Sequence, residues 1–223
     1  MSDMPPASFI SWKTMSKLIG NGQLIKNPTK IYIKKDDFSK SGASLDLCLG
    51  DQVFVTPQKT PINLGQNEII NINPGQFAAL TTEETLIIPT EYIGFITIRF
   101  TYKSKGLVNI SGFHVDPGFK GKLIFSVYNA GPTTVSLQRG KAIFSLFLAR
   151  IEEGADYGDE EHYMEGIPLS IIEPLAGARV LSVQELESKV KRNDNLLTIY
   201  GTILVGIVVS LIGAFISGAF KSG

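Results

Sequence analysis

Between Ile31 and Arg150 the chain is cut into short apolar runs: IYI, LDLCL, VFV, EIINI, FAALTT, TLIIP, GFITIRF, LVNI, KLIFSVYN, TTVSL and AIFSLFLARI. Gly, Pro, Asn or Asp stands in nearly every gap. Runs this short cannot complete an amphipathic helix, and turn residues at this density stop the chain from extending one. The pattern predicts a mainly β fold, a barrel or double sheet rather than βαβ units. From Lys122 to Tyr128 the alternation is plain: Leu123, Phe125 and Val127 fall on one face, and Ile124, Ser126 and Tyr128 on the other.

The flanks follow other rules. Residues 1 to 8 are polar and contain proline, which predicts a loose end. Trp12, Met15, Leu18 and Ile19 recur at helical spacing, and the Gly-Asn-Gly at 20 to 22 ends that short helix. Residues 153 to 180 cluster acidic side chains with Gly and Pro, as expected of an irregular arm over the barrel or onto a neighbour. Ser182 with Glu185 has the spacing of a capping box, so a helix is expected to begin there and continue through ELESKVKR.

Leu196 to Phe220 then runs LLTIYGTILVGIVVSLIGAFISGAF without a charge. At about 1.5 Å per residue this is long enough to cross a hydrocarbon core of about 30 Å. It reads as a transmembrane helix. No apolar signal region opens the chain, and Lys189, Lys191 and Arg192 precede the span while Lys221 follows it. The expectation is a single-pass C-terminal anchor with a cytoplasmic head. The organisation read from sequence is a β domain over 1 to 180, a linker helix over 181 to 195 and a span over 196 to 220. Small or hydroxyl residues, Thr202, Gly206, Ser210, Ala214 and Gly218, recur every fourth position of the span. Such a row lets a second helix approach closely, although small residues are also simply common in membrane helices.

Composition narrows the functions. The chain has 21 basic and 21 acidic residues, which argues against holding nucleic acid through its phosphates. Cys48, His114 and His162 are the entire stock of Cys and His, too few for a zinc deaminase site and no basis for a disulfide framework.

The segment with most chemical content is VDPGFKGKLIFSVYNAG, 115 to 131. Asp116 stands at the entrance of a tight turn. Pro117 presets φ, Gly118 can take the positive φ that follows, and Gly121 allows a second close approach before the strand. Asp116, Gly118, Phe119, Gly121 and Asn129 together resemble the nucleoside-pocket motif of the dCTP deaminase and dUTPase superfamily. Supporting pieces follow the family's order. SGASLDLCLG (41 to 50) resembles its first motif, IRFTYKSKGLV (98 to 108) its phosphate motif, and LQRGKAIFSLFLARI (137 to 151) its closing hairpin. SWKTMSKLIGNGQLIKNP (11 to 28) resembles the opening of the deaminase branch.

The resemblance implies a distorted barrel that assembles as a homotrimer and binds a deoxypyrimidine nucleoside triphosphate, with Mg²⁺ held through the phosphates. It implies that Asp116 is the general base and that Phe119 packs on the deoxyribose. Arg99, Thr101, Lys103, Lys105, Gly118 and Asn129 are the other expected nucleotide contacts. Asp46 matches an acidic residue that supports the site. Cleavage between the α and β phosphates needs a carboxylate to orient and deprotonate water, and cations or N–H groups around the phosphates. Plainer roles remain open: Asp116 as a cap of its own turn, Asp46 as a polar residue satisfying a turn in LDLCLG, and Lys103 and Lys105 as solvated loop ends.

Departures from the family pattern matter. Ser126 stands where the metal-free deaminases have a catalytic Glu, and a lone serine is no general base at neutral pH. Phe100 and Thr101 replace two serines, Ser104 a second Arg, and Ser145 the Gln of dUTPases. No Arg-bearing, glycine-rich C-terminal motif follows, and HYMEGI at 162 to 167 lacks the Lys and Gln of the deaminase arm. Three functions remain: a membrane-tethered diphosphohydrolase, an inactive nucleotide sensor acting through its membrane helix, or a trimeric scaffold for the tails. Deamination ranks below these.

Overall fold

The computed structural model describes residues 9–26, 42–153, 163–164, 166–175 and 183–219. The expected loose end at 1 to 8, the run at 31 to 33, Ser182 and Phe220 lie outside those residues. The chain divides into two compact units, Met1–Val180 and Leu181–Gly223.

In the first unit, helix α1 (Trp12–Gly20) precedes β1 (Ile25–Lys26), β2 (Leu45–Val55), β3 (Ile62–Asn63), β4 (Ile69–Ile72), β5 (Phe77–Thr82), β6 (Thr85–Ile87) and β7 (Tyr92–Ile98). A single helical turn, α2 (Phe100–Lys103), leads to β8 (Leu107–Asn109), β9 (His114–Val115), β10 (Lys120–Gly121), β11 (Ile124–Asn129), β12 (Val135–Gln138) and β13 (Ala142–Arg150). Last come β14 (Tyr163–Met164) and the turn α3 (Leu169–Ile172). The mainly β expectation holds, and the 11-to-19 helical spacing is α1.

One long strand organises the head. The first part of β2 pairs with β13, the last part with β5, and the register shifts between Leu49 and Val53. The shift lets one strand serve both halves of a curled sheet ordered β8-β11-β5-β2-β13-β7-β9. A second sheet, β1-β6-β10-β14, and the pair β4-β12 complete the head. Inside the curl, the Phe125 ring from β11 stacks on Phe144 from β13 at 3.9 Å between centroids, both fully buried. Truncating either ring to Ala removes the contact and opens a cavity, typically a loss of about 3–5 kcal/mol.

Alternation in β11 is as read: Phe125 and Val127 are buried while Ile124, Ser126 and Tyr128 are half-buried. Regular pairing starts at Ile124 rather than Lys122. The Leu123 N–H donates to the Thr82 hydroxyl oxygen at 3.0 Å, a side chain standing where a ladder would need a carbonyl. Residues 166–175 lie over the outside of the head sheet, with Ile167 and Ile172 packed on Phe54 and Ala79.

The second unit is helix α4 (Val183–Ala219). Within Leu186–Ala214 an 18-residue window has a mean hydropathy of 2.3 and none of it is buried, so the helix is long and apolar enough to cross a membrane.

Candidate functional site

The turn after β9 has the geometry its residues dictate. The Phe119 N–H donates to the Asp116 carbonyl at 3.2 Å, and Gly118 adopts φ +82°, the second central position of a type II turn with Pro117 at the first. Ile88 holds the turn from outside: the Gly118 N–H donates to its carbonyl, and its N–H donates to the Phe119 carbonyl, each at 2.9 Å. The backbone closes the turn, which leaves the Asp116 carboxylate for other work. It is half-exposed, with His114 Nε2 at 3.5 Å from its Oδ1. Phe119 packs part of its ring on the core and keeps the rest open.

The second group of residues lies past the end of β7. Arg99 Nη1 is 3.4 Å from Asp46 Oδ2 and also donates to the Ala142 carbonyl at 3.4 Å. Ser145 donates its hydroxyl to Asp46 Oδ1 at 3.0 Å. Three motifs far apart in sequence therefore meet, because β13 places Ser145 opposite Asp46 of β2 on one side and Thr97 of β7 on the other. Thr101 and Lys103 follow on the exposed turn α2 and Lys105 on the loop after it, with Lys105 Nζ 5.8 Å from the centre of the Tyr102 ring. The Phe100 ring beside them is 81% exposed.

This loop is docked by glycines. Gly106 has φ +96°, and a Cβ there would collide with the backbone of Gly131. The Ala130 N–H donates to the Gly106 carbonyl at 2.9 Å. Asn129 sits under the same junction, fully buried. Its amide donates to the Ile72 and Thr133 carbonyls at 2.8 and 2.9 Å and accepts the Gly131 N–H at 2.9 Å. Its side chain is thus a brace of the loop, with both N–H groups and its carbonyl oxygen bonded to protein backbone.

The candidates fall at opposite ends of β7. Strand β9 runs antiparallel to β7 with Val115 opposite Gly94, so Asp116 lies level with Ile93, whereas Arg99 follows Ile98. Six residues of strand at about 3.3 Å each separate them by roughly 20 Å. Asp116, Gly118 and Phe119 are together at one end. Arg99, Thr101, Lys103, Lys105 and Asn129 are at the other. Between the ends the sheet carries aromatic rings in mutual contact, Phe9, Phe95, Phe113 and Phe147, with Phe9 and Phe113 59% and 66% exposed.

Ser126 has Ala79 opposite it on β5, and its carbonyl accepts the N–H groups of Ile110 and Ser111 at 2.8 and 3.3 Å. None of these neighbours is a carboxylate. Burial pushes the Cys48 thiol up to about 11, with Glu83 and Asp46 adding to the shift, so it stays protonated at neutral pH. Among the described residues no three His, Cys, Asp or Glu side chains cluster as metal ligands.

Sequence reasoning missed Glu84. Its carboxyl is buried and accepts the Cys48 N–H with both oxygens, at 2.8 and 3.0 Å. Desolvation pushes it up to about 8, against the lowering effect of the Cys48 and Glu84 N–H groups and of Lys122. The folded head therefore holds a proton that the unfolded chain, near 4.5, releases earlier. This contribution to stability is complete below about 4.5 and is lost as pH rises through about 8. Glu84→Gln is expected to match the parent in urea unfolding at pH 5 and to exceed it at pH 8.5. Parallel curves at both pH values would contradict this. Arg139, another residue without a role in the sequence reading, is a structural ion pair: its Nε and Nη2 donate to the two Glu83 oxygens at 3.1 Å each.

A family profile described as dCTP deaminase-like matches residues 13–151. The chain belongs to the dCTP deaminase-like family. It is 32% identical over 156 residues to the dCTP deaminase of Pyrobaculum aerophilum, covering 64% of this chain and 85% of that protein. Against the dCTP deaminase of Pectobacterium atrosepticum the identity is 28% over 148 residues, covering 64% and 70%. The solved 2′-deoxycytidine 5′-triphosphate deaminase of Agrobacterium tumefaciens superposes with a TM-score of 0.54 at 13% identity, over 66% of this chain and 49% of that one. That likeness is one of fold. The matched region holds both ends of the candidate site and ends before α4, so the family relationship says nothing about the apolar helix.

Proposed function

We propose that the protein is a membrane-anchored nucleoside triphosphate diphosphohydrolase, acting on deoxypyrimidine nucleoside triphosphates at sites formed between copies of the head. The observation that carries this reading is the division of the candidate residues between the two ends of β7. One copy cannot bring its own Asp116 to its own Arg99, but a rotated neighbour can, and three such contacts close a ring. The exposed aromatic rings between the ends support self-association, since a contiguous apolar patch on a soluble head calls for cover.

In the completed site Asp116 accepts the proton of the attacking water. Its carboxylate is half-exposed, its backbone carbonyl is already used by the turn, and His114 is near enough to steady its orientation. Gly118 gives the turn its shape and Phe119 offers the open part of its ring to the sugar. From the neighbour come Arg99, Thr101, Lys103 and Lys105. The 3.4 Å contacts of Arg99 are long for charge-assisted bonds, which run at about 2.7–2.9 Å, so a phosphate competes well for the guanidinium. Asn129 braces that loop from beneath. Mg²⁺ would arrive on the phosphates, whose oxygens suit it, and would neutralise part of their charge.

The head corresponds to residues 1–180, a linker helix to 181–195 and the span to 196–220. Lys189, Lys191 and Arg192 ahead of the span favour a cytoplasmic head. The relatives' names favour a second reading, deamination of dCTP. That chemistry would need a carboxylate from another copy near Ser126, because its own strand neighbours supply none. A head that binds nucleotide without turnover would be a sensor.

Co-expression tests the shared site. Asp116→Asn and Arg99→Ala should each be inactive alone. In random mixed assemblies a site needs one intact residue from each of two copies, so about a quarter of parental activity should return. No recovery in verified mixed assemblies would contradict a site formed between copies.

A further inference from the structure

Helix α4 carries a seam that neither the family relationship nor the head requires. From Leu186 onward, Val190, Asn193, Leu197, Tyr200, Leu204, Ile207, Leu211 and Ala214 follow at alternating spacings of four and three. That is an unbroken heptad frame, with Val190, Leu197, Leu204 and Leu211 at a and Leu186, Asn193, Tyr200, Ile207 and Ala214 at d. Within the span nearly every residue is apolar, so the frame carries little information there. Ahead of the span it is specific: between Leu186 and Asn195, Leu186 and Val190 are the apolar residues, on one face of an otherwise polar helix. Both are exposed, 47% and 58%.

We infer that this face packs against the same face of other copies of this chain, as a parallel coiled coil that starts before the membrane and continues into it. The charges beside the seam decide the orientation. In parallel strands a g position meets the e position five residues on in the neighbour, which sets Lys189 against Asp194. In antiparallel strands g meets g and e meets e, so Lys189 would face Lys189 and the acids Glu187 and Asp194 would face acids. Tails inserted from one side of a membrane are parallel in any case. Asn193 interrupts the apolar seam, where its amide finds partners in the same amide of neighbouring copies and so fixes the register at some cost in stability. Leu at a with Ile at d, as at Leu204 and Ile207, favours three or four strands over two. This deepens the self-association proposed above and rests on it.

Oxidative cross-linking of the full chain in lipid vesicles tests the seam, on a Cys48→Ser background. Asn193→Cys is expected to form a disulfide between copies, while Asn195→Cys, on the outward f position, is not. Lys189→Glu should reduce the 193 cross-link, and adding Asp194→Lys should restore it. Equal cross-linking at 193 and 195, or no response to the charge swap, would overturn the inference. Light scattering of the same full chain in detergent reports assembly separately. A trimer without the 193 cross-link refutes the seam alone, whereas a monomer refutes self-association of the head as well.

Discussion

Asp116→Asn is expected to lower dUTP hydrolysis by about 10²–10⁴-fold and to leave nucleotide binding in place. The asparagine keeps the size of the side chain and loses the ability to take a proton. The turn would not move, because the Phe119 N–H bonds to the Asp116 backbone carbonyl, and Pro117 and Gly118 set its shape. Loss of turnover with retained binding therefore separates a chemical role from a structural one. If Asp116 served only to cap its turn, the variant would lose stability and affinity together. Rates from product release under saturating substrate, with affinity from calorimetry on the same preparation, make the distinction. Unchanged turnover would remove Asp116 from the mechanism.

A large stability effect is also expected at Gly106. Its φ of +96° is strained for any side chain, and a Cβ would overlap the backbone of Gly131 rather than a flexible side chain that could yield. Strain of about 1–3 kcal/mol from the backbone and about 1–3 kcal/mol from overpacking put the cost of Gly106→Ala at roughly 2–6 kcal/mol. Gly112→Ala is the control, since a Cβ at Gly112 meets open space; its effect should stay within about 0.5 kcal/mol. The single tryptophan, Trp12, packs against the head core and reports urea unfolding of the full chain in detergent. A tolerant Gly106 would mean that the junction with Gly131 opens easily. The phosphate-binding loop would then lack the rigid seat that its proposed role needs.

The sequence made the strand pattern legible because alternation is a local property, and the Asp-Pro-Gly-Phe turn was legible because proline and glycine dictate φ. The contacts of Asp46 with Arg99 and with Ser145 were not legible, since they depend on the register of three strands distant in the chain. Matching motifs named most of the candidate residues without revealing that β7 holds them apart. The bracing role of Asn129 was not legible either: a motif records a residue and not the direction its amide points. Glu84 escaped notice because an acidic residue in a Thr-rich turn ordinarily faces water, and nothing local marks the Cys48 N–H that it meets. The heptad frame of α4 was masked by the uniform apolarity of the span and appears only when the polar turns before it are read in the same register.

The activity proposed for the head is on deoxypyrimidine nucleoside triphosphates. The direct test is to incubate the full chain in detergent with Mg²⁺ and an equimolar mixture of ribo- and deoxynucleoside triphosphates, following every species by mass spectrometry. The expected result is selective conversion of a deoxypyrimidine triphosphate, dUTP or dCTP, to its monophosphate, absent from Asp116→Asn. Conversion of dCTP to dUTP without diphosphate release would replace hydrolysis by deamination, and a mixture left unchanged and unbound would rule out any action of the head on these nucleotides.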